Sequence, residues 1–356
     1  MARKSIIILR SVQKMNSIVS FLIAFGVLVV GFVLLIKGAD AFVDGSSAIA
    51  KRLRVPSLVI GLTIVAMGTS LPELAVSVTA SMAGNNEIAI SNVTGSNIFN
   101  LMVVCGISAL FVPLKVSRES LTHEFPFSVF CAILMAAFGA TGATINEGIG
   151  SIGRIEGIVL LFFFALFLLY TVSTAIKARK IGGNEEEDEG EGLSMWNSIV
   201  MIVLGMVAIK FGGDFVVGGD AALMGQEFSY GAIALARMFG MSDTLIGLTI
   251  VAVGTSLPEL VTSIVAAKKN EVDMAVGNVI GSNIFNILFI LGVATVITPV
   301  DFVFDNLVDT IVLVVFSVLV WGFTWTKETL VRWEGVVMII CYIAFVGYAI
   351  FRVYAA

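Results

Sequence analysis

Apolar stretches of about 20 residues, the length at which a helix crosses roughly 30 Å of hydrocarbon, alternate with short polar punctuation along the whole chain. They predict spans near 17 to 37, 57 to 82, 88 to 112, 125 to 144 and 155 to 176, and, after a polar segment at 177 to 194, near 196 to 217, 244 to 267, 274 to 298, 308 to 326 and 334 to 353. The expected fold is an all-α membrane protein of about ten transmembrane helices. Residues 17–176 form a first five-span unit, 177–195 an acidic linker on the cytoplasmic side, and 196–354 a second five-span unit.

The two units repeat one another. A shift of 186 residues lays 61 to 100 onto 247 to 286 without a gap, with 24 identities in 40 positions. GLTIVAMGTSLPEL at 61 to 74 matches GLTIVAVGTSLPEL at 247 to 260, and GSNIFN at 95 to 100 recurs at 281 to 286. A weaker echo precedes them, Lys37 and Asp40 against Lys210 and Asp214. An odd number of spans per unit makes the second copy enter the bilayer from the opposite side. The copies are then inverted repeats related by a pseudo-two-fold axis in the membrane plane, with their motifs facing each other at mid-depth. Two halves that merely packed together would not need polar residues to be the best-matched part.

Composition supports a membrane setting and narrows the chemistry. Of 356 residues, 58% are hydrophobic and 13% charged, with a mean hydropathy of +1.02; soluble domains run near about 45–50% and 25%. A net charge of −5 speaks against nucleic acid, and no Gly-rich phosphate loop ending in Lys-Ser/Thr is present for a nucleotide. Cys105, Cys131 and Cys341 lie in apolar runs without paired spacing and read as small core residues. His123, the single histidine, reads as a solvated loop residue beside Glu119 and Glu124. The acidic run at 185 to 191 lacks the spacing of a calcium loop and reads as a solvated linker. No cleavable signal pattern precedes the first span. Twelve basic residues fall in loops on one side and seven on the other, so the positive-inside rule puts both termini outside.

Carboxylates inside apolar spans are costly, about 2.5 to 3.5 kcal/mol on insertion scales, and persist where they face a cavity or a cation. Glu73 and Glu259 are such residues, each directly after a proline. Pro72 and Pro258 cannot donate the helical hydrogen bond to the carbonyls of Gly68 and Gly254, so both helices are expected to open there. Thr69 and Ser70 lie four and three residues before Glu73 and gather toward its face; Thr255, Ser256 and Glu259 repeat the set. The second motif adds Ser96, Asn97 and Asn100, matched by Ser282, Asn283 and Asn286. Together these are hard oxygen donors, enough for the roughly six to eight ligands of Ca2+ with smaller neighbouring positions for Na+. Soft ligands are absent from both motifs, which disfavours copper, zinc and iron. Two glutamates balance one Ca2+ or two monovalent ions, whereas an empty pocket leaves two like charges in a low dielectric, which favours exchange over uncoupled passage. No nucleophile with a base or metal suggests an enzyme. Gly277, Gly281, Ser91 and Gly95 read as small-residue helix packing, and Asp40, Asp44, Asp214 and Asp220 lie near expected span ends.

The paired GTSLPE and GSNIFN motifs in two five-span halves resemble the alpha-repeats of the Ca2+/cation antiporter superfamily, nearest its prokaryotic sodium/calcium exchanger branch. The resemblance is strong over the repeat cores and one of layout elsewhere. It implies a ten-span exchanger in a prokaryotic plasma (cell inner) membrane, both termini outside, extruding Ca2+ against inward Na+, with no organic cofactor. By motif it implies ligands Thr69, Ser70, Glu73 and Ser96, then Thr255, Ser256, Glu259 and Ser282, the carbonyls of Ala66 and Ala252, and Asn100 and Asn286 at the centre. Several relatives have Asp where this chain has Asn286, and in the potassium-dependent branch that Asp goes with K+ cotransport, so K+ dependence is not expected. An H+/Ca2+ antiporter of the same fold is the alternative.

Overall fold

In the computed structural model the described residues are 2–84, 86–141, 150–181, 193–223, 226–241, 250 and 252–355. Among them eight helices are long and apolar enough to cross a membrane, and a bent pair makes a ninth span. These are α1 (Ala2–Leu53), the pair α2 (Ser57–Thr69) and α3 (Leu71–Met82), α4 (Glu87–Phe111), α5 (Ser120–Ala140), α6 (Arg154–Lys180), α7 (Met195–Val217), α10 (Val272–Ile297), α11 (Phe304–Lys327) and α12 (Arg332–Ala355). The shorter α8 (Gly231–Met238) and α9 (Leu257–Lys268) lie between α7 and α10. The span expected at 244 to 267 falls partly on 242–249 and 251, outside the described residues, as does the acidic run at 185 to 191.

The first helix outruns its expected end at residue 37. Nothing breaks it until Arg54, which adopts a left-handed φ of 54°, followed by Val55 and Pro56, where a residue before proline is pushed out of the α region. Asp40 and Asp44 therefore sit inside a helix, and Lys51 and Arg52 form its last turn instead of a loop. Glycines along this helix serve as contact points with α7. A Cβ on Gly31 would lie 2.9 Å from the carbonyl oxygen of Gly212, one on Gly38 2.9 Å from that of Gly205, and one on Gly45 2.7 Å from that of Ser198. This seven-residue stripe lets two antiparallel backbones touch, the small-residue packing of membrane helices. Gly38→Val is accordingly expected to cost about 1–3 kcal/mol through overpacking, read as a lower melting temperature and a smaller monodisperse fraction in detergent.

Of the eight long spans, α10 and α4 are the central ones, 78% and 83% buried against 44% or less for the rest. Gly277 and Gly281 press α10 onto α2 so closely that a Cβ on each would lie 2.7 Å from a carbonyl oxygen, that of Leu58 and that of Leu62 respectively. Three short strand pairs depart from a purely helical fold. β1 (Leu114–Lys115) pairs antiparallel with β6 (Thr329–Leu330), and β2 (Gly150–Ile152) with β5 (Val300–Phe302), each joining one half of the chain to the other. β3 (Gly219–Leu223) and β4 (Gln226–Tyr230) form a hairpin after α7. His123 is exposed as expected but stands in the first turn of α5 rather than in a loop, and the neighbouring Glu124 is buried.

Candidate cation-binding site

Sequence dictates a break at the first motif. Pro72 occupies the opening turn of α3, Ser70 leaves helical geometry (φ −86°, ψ 11°), and α2 and α3 bend by 49°. Leu257 and Pro258 open α9 in the same way after Ser256 (φ −93°, ψ 6°). The first turns after the breaks carry Glu73 and Glu259, both with no exposure to solvent.

The two halves meet crosswise. Ser70 Oγ donates to Glu259 Oε1 at 2.7 Å, and Ser256 Oγ donates to Glu73 Oε1 at 3.1 Å. Each bond is the other's mate under the 186-residue shift. Thr255 also reaches Glu73, and Thr69 reaches Glu259. Ser96 Oγ lies 3.4 Å from Glu73 Oε1, while Ser282 Oγ donates to the Ala66 carbonyl at 3.4 Å. Ala252 begins a short helical turn, Ala252–Gly254, leading to Thr255. Asn97 and Asn283 exchange amide bonds to each other's backbone carbonyl at 3.2 and 3.3 Å, and Asn286 Nδ2 donates to Asn97 Oδ1 at 3.0 Å. Asn100 and Asn286, both without solvent exposure, each start a wide π-type turn, at Asn100–Val104 and Asn286–Leu291. Such turns recur at functional sites because they re-aim side chains within a helix.

What these groups lack matters as much as what they bind. Glu73 Oε2, Glu259 Oε2 and the Oδ1 atoms of Asn100, Asn283 and Asn286 are buried and make no hydrogen bond within the protein. Each such oxygen costs about 1–3 kcal/mol unless something pairs with it. Among the described residues no basic side chain forms an ion pair with either glutamate, and no group of three or more His, Cys, Asp or Glu is placed so that it could hold a metal ion. Two acids ringed by hydroxyl and amide oxygens are a donor set for a hard cation, which would match both the charge and the unpartnered lone pairs.

A cavity of about 370 Å3 reaches the site from the end of α7, lined among others by Lys210, Asp214, Tyr230, Thr255, Pro72 and Pro258. Lys210 pairs with Asp214 at its mouth. At the opposite end of the α1–α7 crossing the turn between α9 and α10 is pinned. Lys269 Nζ contacts Asp44 at 2.7 Å and Asp40 at 3.4 Å, and Glu271 accepts from Ser47 and, at 2.8 Å, from Ser57. Asp220 stands apart, bonded to Ser229 and Arg237, whose donors hold its carboxyl below the usual carboxylate range.

Two residues absent from the sequence reading belong to this network. Asn92 Nδ2 donates to the Glu73 carbonyl at 3.1 Å and to Ser77 Oγ at 2.9 Å, and Asn278 Nδ2 does the same to the Glu259 carbonyl at 3.4 Å and Ser263 Oγ at 2.9 Å. All four side chains are among the 24 identities of the repeat, which was the available signal.

Comparison with known proteins finds matches over most of the chain. The family model described as sodium/calcium exchanger protein matches residues 23–173 and 197–351. The chain is 35% identical to the sodium/calcium exchanger MaX1 of Methanosarcina acetivorans over 355 aligned positions, covering 90% of this chain and 97% of that protein. It is 41% identical to the putative antiporter CaxA of Alkalimonas amylolytica, covering 78% of this chain and 82% of the relative. A solved structure of the sodium-calcium exchanger NCX_Mj soaked with zero Na+ and Ca2+ superposes with a TM-score of 0.75 at 32% identity, covering 92% of this chain and 99% of that one.

Proposed function

Because the chain belongs to the sodium/calcium exchanger protein family, we propose that this integral membrane protein is a secondary active antiporter that exchanges Ca2+ for Na+ by alternating access and normally extrudes Ca2+. The carrying observation is the crosswise pairing of Ser70 with Glu259 and Ser256 with Glu73, which brings one buried acid from each repeat to a common pocket. The ligand set we assign is Thr69, Ser70, Glu73, Ser96, Asn100 and the Ala66 carbonyl from the first copy, with Thr255, Ser256, Glu259, Ser282, Asn286 and the Ala252 carbonyl from the second. The two copies are read as inverted five-span repeats with both termini outside.

Coupling follows from charge. One Ca2+ or two Na+ neutralise Glu73 and Glu259, while the unloaded pocket holds two like charges away from water, a state whose passage across the membrane is slow. The loaded pocket can therefore change the side it faces, and the ion leaving on one side is replaced before return. The same electrostatics would accommodate two protons, which is why H+/Ca2+ exchange is the second reading. Proteoliposomes holding the purified protein distinguish them. Uptake of 45Ca2+ is expected to require Na+ inside and to persist with pH clamped on both sides; uptake driven by a pH gradient without Na+ would select the proton-coupled reading.

A further inference from the structure

Resting on that reading of the site, we propose that Asn278 is a positioning residue that fixes the hydroxyl of Thr69 with its lone pairs toward the transported cation. Asn278 has no solvent exposure and touches three groups. Its Nδ2 faces the Glu259 carbonyl at 3.4 Å and Ser263 Oγ at 2.9 Å, and its Oδ1 lies 3.1 Å from Thr69 Oγ1. A backbone carbonyl can only accept, so the amide must turn its NH2 that way, which leaves Oδ1 facing Thr69. An amide oxygen cannot donate, so the bond is made with the single proton of the Thr69 hydroxyl.

The consequence is chemical. Thr69 Oγ1 has one proton and three possible acceptors, Asn278 Oδ1 at 3.1 Å, the Ala66 carbonyl at 3.3 Å and the Glu259 side chain. A proton turned toward Glu259 would occupy the acid and point positive charge at an arriving cation. A proton held by Asn278 leaves the hydroxyl lone pairs and Glu259 Oε2 free, Oε1 being held by Ser70. Asn278 also spans the two copies, bonding Thr69 of the first and Ser263 and the Glu259 backbone of the second, so the orientation of one half's donor is set by α9 and α10 of the other half.

The test is a double-mutant cycle in Na+-loaded proteoliposomes, measuring KM for Ca2+ and maximal rate. Asn278→Ala and Thr69→Val are each expected to raise KM about tenfold, the loss of one buried hydrogen-bonding group, with maximal rate changed less than twofold. The double variant is expected to be no worse than Thr69→Val alone, because Asn278 acts through that hydroxyl. Ser263→Ala, which keeps the Thr69 bond and loses only the hydroxyl acceptor on α9, should leave KM within twofold. Effects of Asn278→Ala and Thr69→Val that multiply, or a Ser263→Ala variant that reproduces Asn278→Ala, would overturn the inference and leave Asn278 as a structural clamp. If the alanine variant does not fold, Thr69→Ser, which keeps the hydroxyl that Asn278 holds, carries the test; a tenfold rise in its KM would overturn the proposal. Full affinity in Thr69→Val would instead remove Thr69 from the site, a separate failure that strikes the ligand set itself.

Discussion

Glu73→Gln and Glu259→Gln are each expected to cut Na+-driven Ca2+ uptake by about a hundredfold or more, the scale of removing one charged, desolvated partner, while the purified proteins remain folded. Glutamine preserves shape and can still accept from Ser256 or Ser70, the present donors to the two acids. It removes the charge that balances a divalent ion, so one carboxylate would face Ca2+ alone. The variants should also be at least as stable as the parent without Ca2+, since each loses one of two buried like charges. Addition of Ca2+ should raise the melting temperature of the parent and not of either variant. Full transport by one variant would remove that acid from the ligand set.

The second large effect is expected at the centre of the pocket. Asn286 donates to Asn97 Oδ1 at 3.0 Å and keeps its own Oδ1 unpartnered. Asn286→Asp replaces the donor by a second acceptor facing Asn97, which should lower stability without ions by about 1–3 kcal/mol. It also adds a third acid, so one Ca2+ no longer balances the pocket and a further monovalent cation is favoured with it. The expected result is Ca2+ uptake that becomes sensitive to K+, with a changed Na+ dependence. Unchanged profiles for Na+, H+ and K+ would contradict the role given to this position.

Much of the site was legible because its chemistry is local and doubled. A proline next to an acid inside an apolar run announces both a broken helix and a polar pocket, and the bend between α2 and α3 occurs at Ser70, two residues before Pro72. Glu73 and Glu259 could be paired from the sequence alone because the same five residues precede each, and their bonds cross between the copies. The wide turns at Asn100 and Asn286 were not legible, since no residue type marks a π-type turn. Asn92 and Asn278 were hidden for a related reason. An asparagine inside a helix has no evident partner until the neighbouring helix is in place, here 19 residues away for the backbone acceptor in both halves. The length of α1 was not legible either, because its apolar run ends at Ile36 and Lys37, Asp40 and Asp44 follow, whereas Gly38 and Gly45 continue the helix and admit the backbone of α7. The strand pairs joining β1 to β6 and β2 to β5 involve only two or three residues each, too short to leave an alternating pattern.

The most direct measurement is the position of a bound divalent ion. Crystals of the full chain soaked in Ca2+, with data collected for anomalous scattering, should show one peak within about 2.3–2.6 Å of carboxylate oxygens from both Glu73 and Glu259. A peak ligated by one glutamate alone, or a pocket in which either acid has turned to a basic side chain, would contradict a cation shared between the two copies.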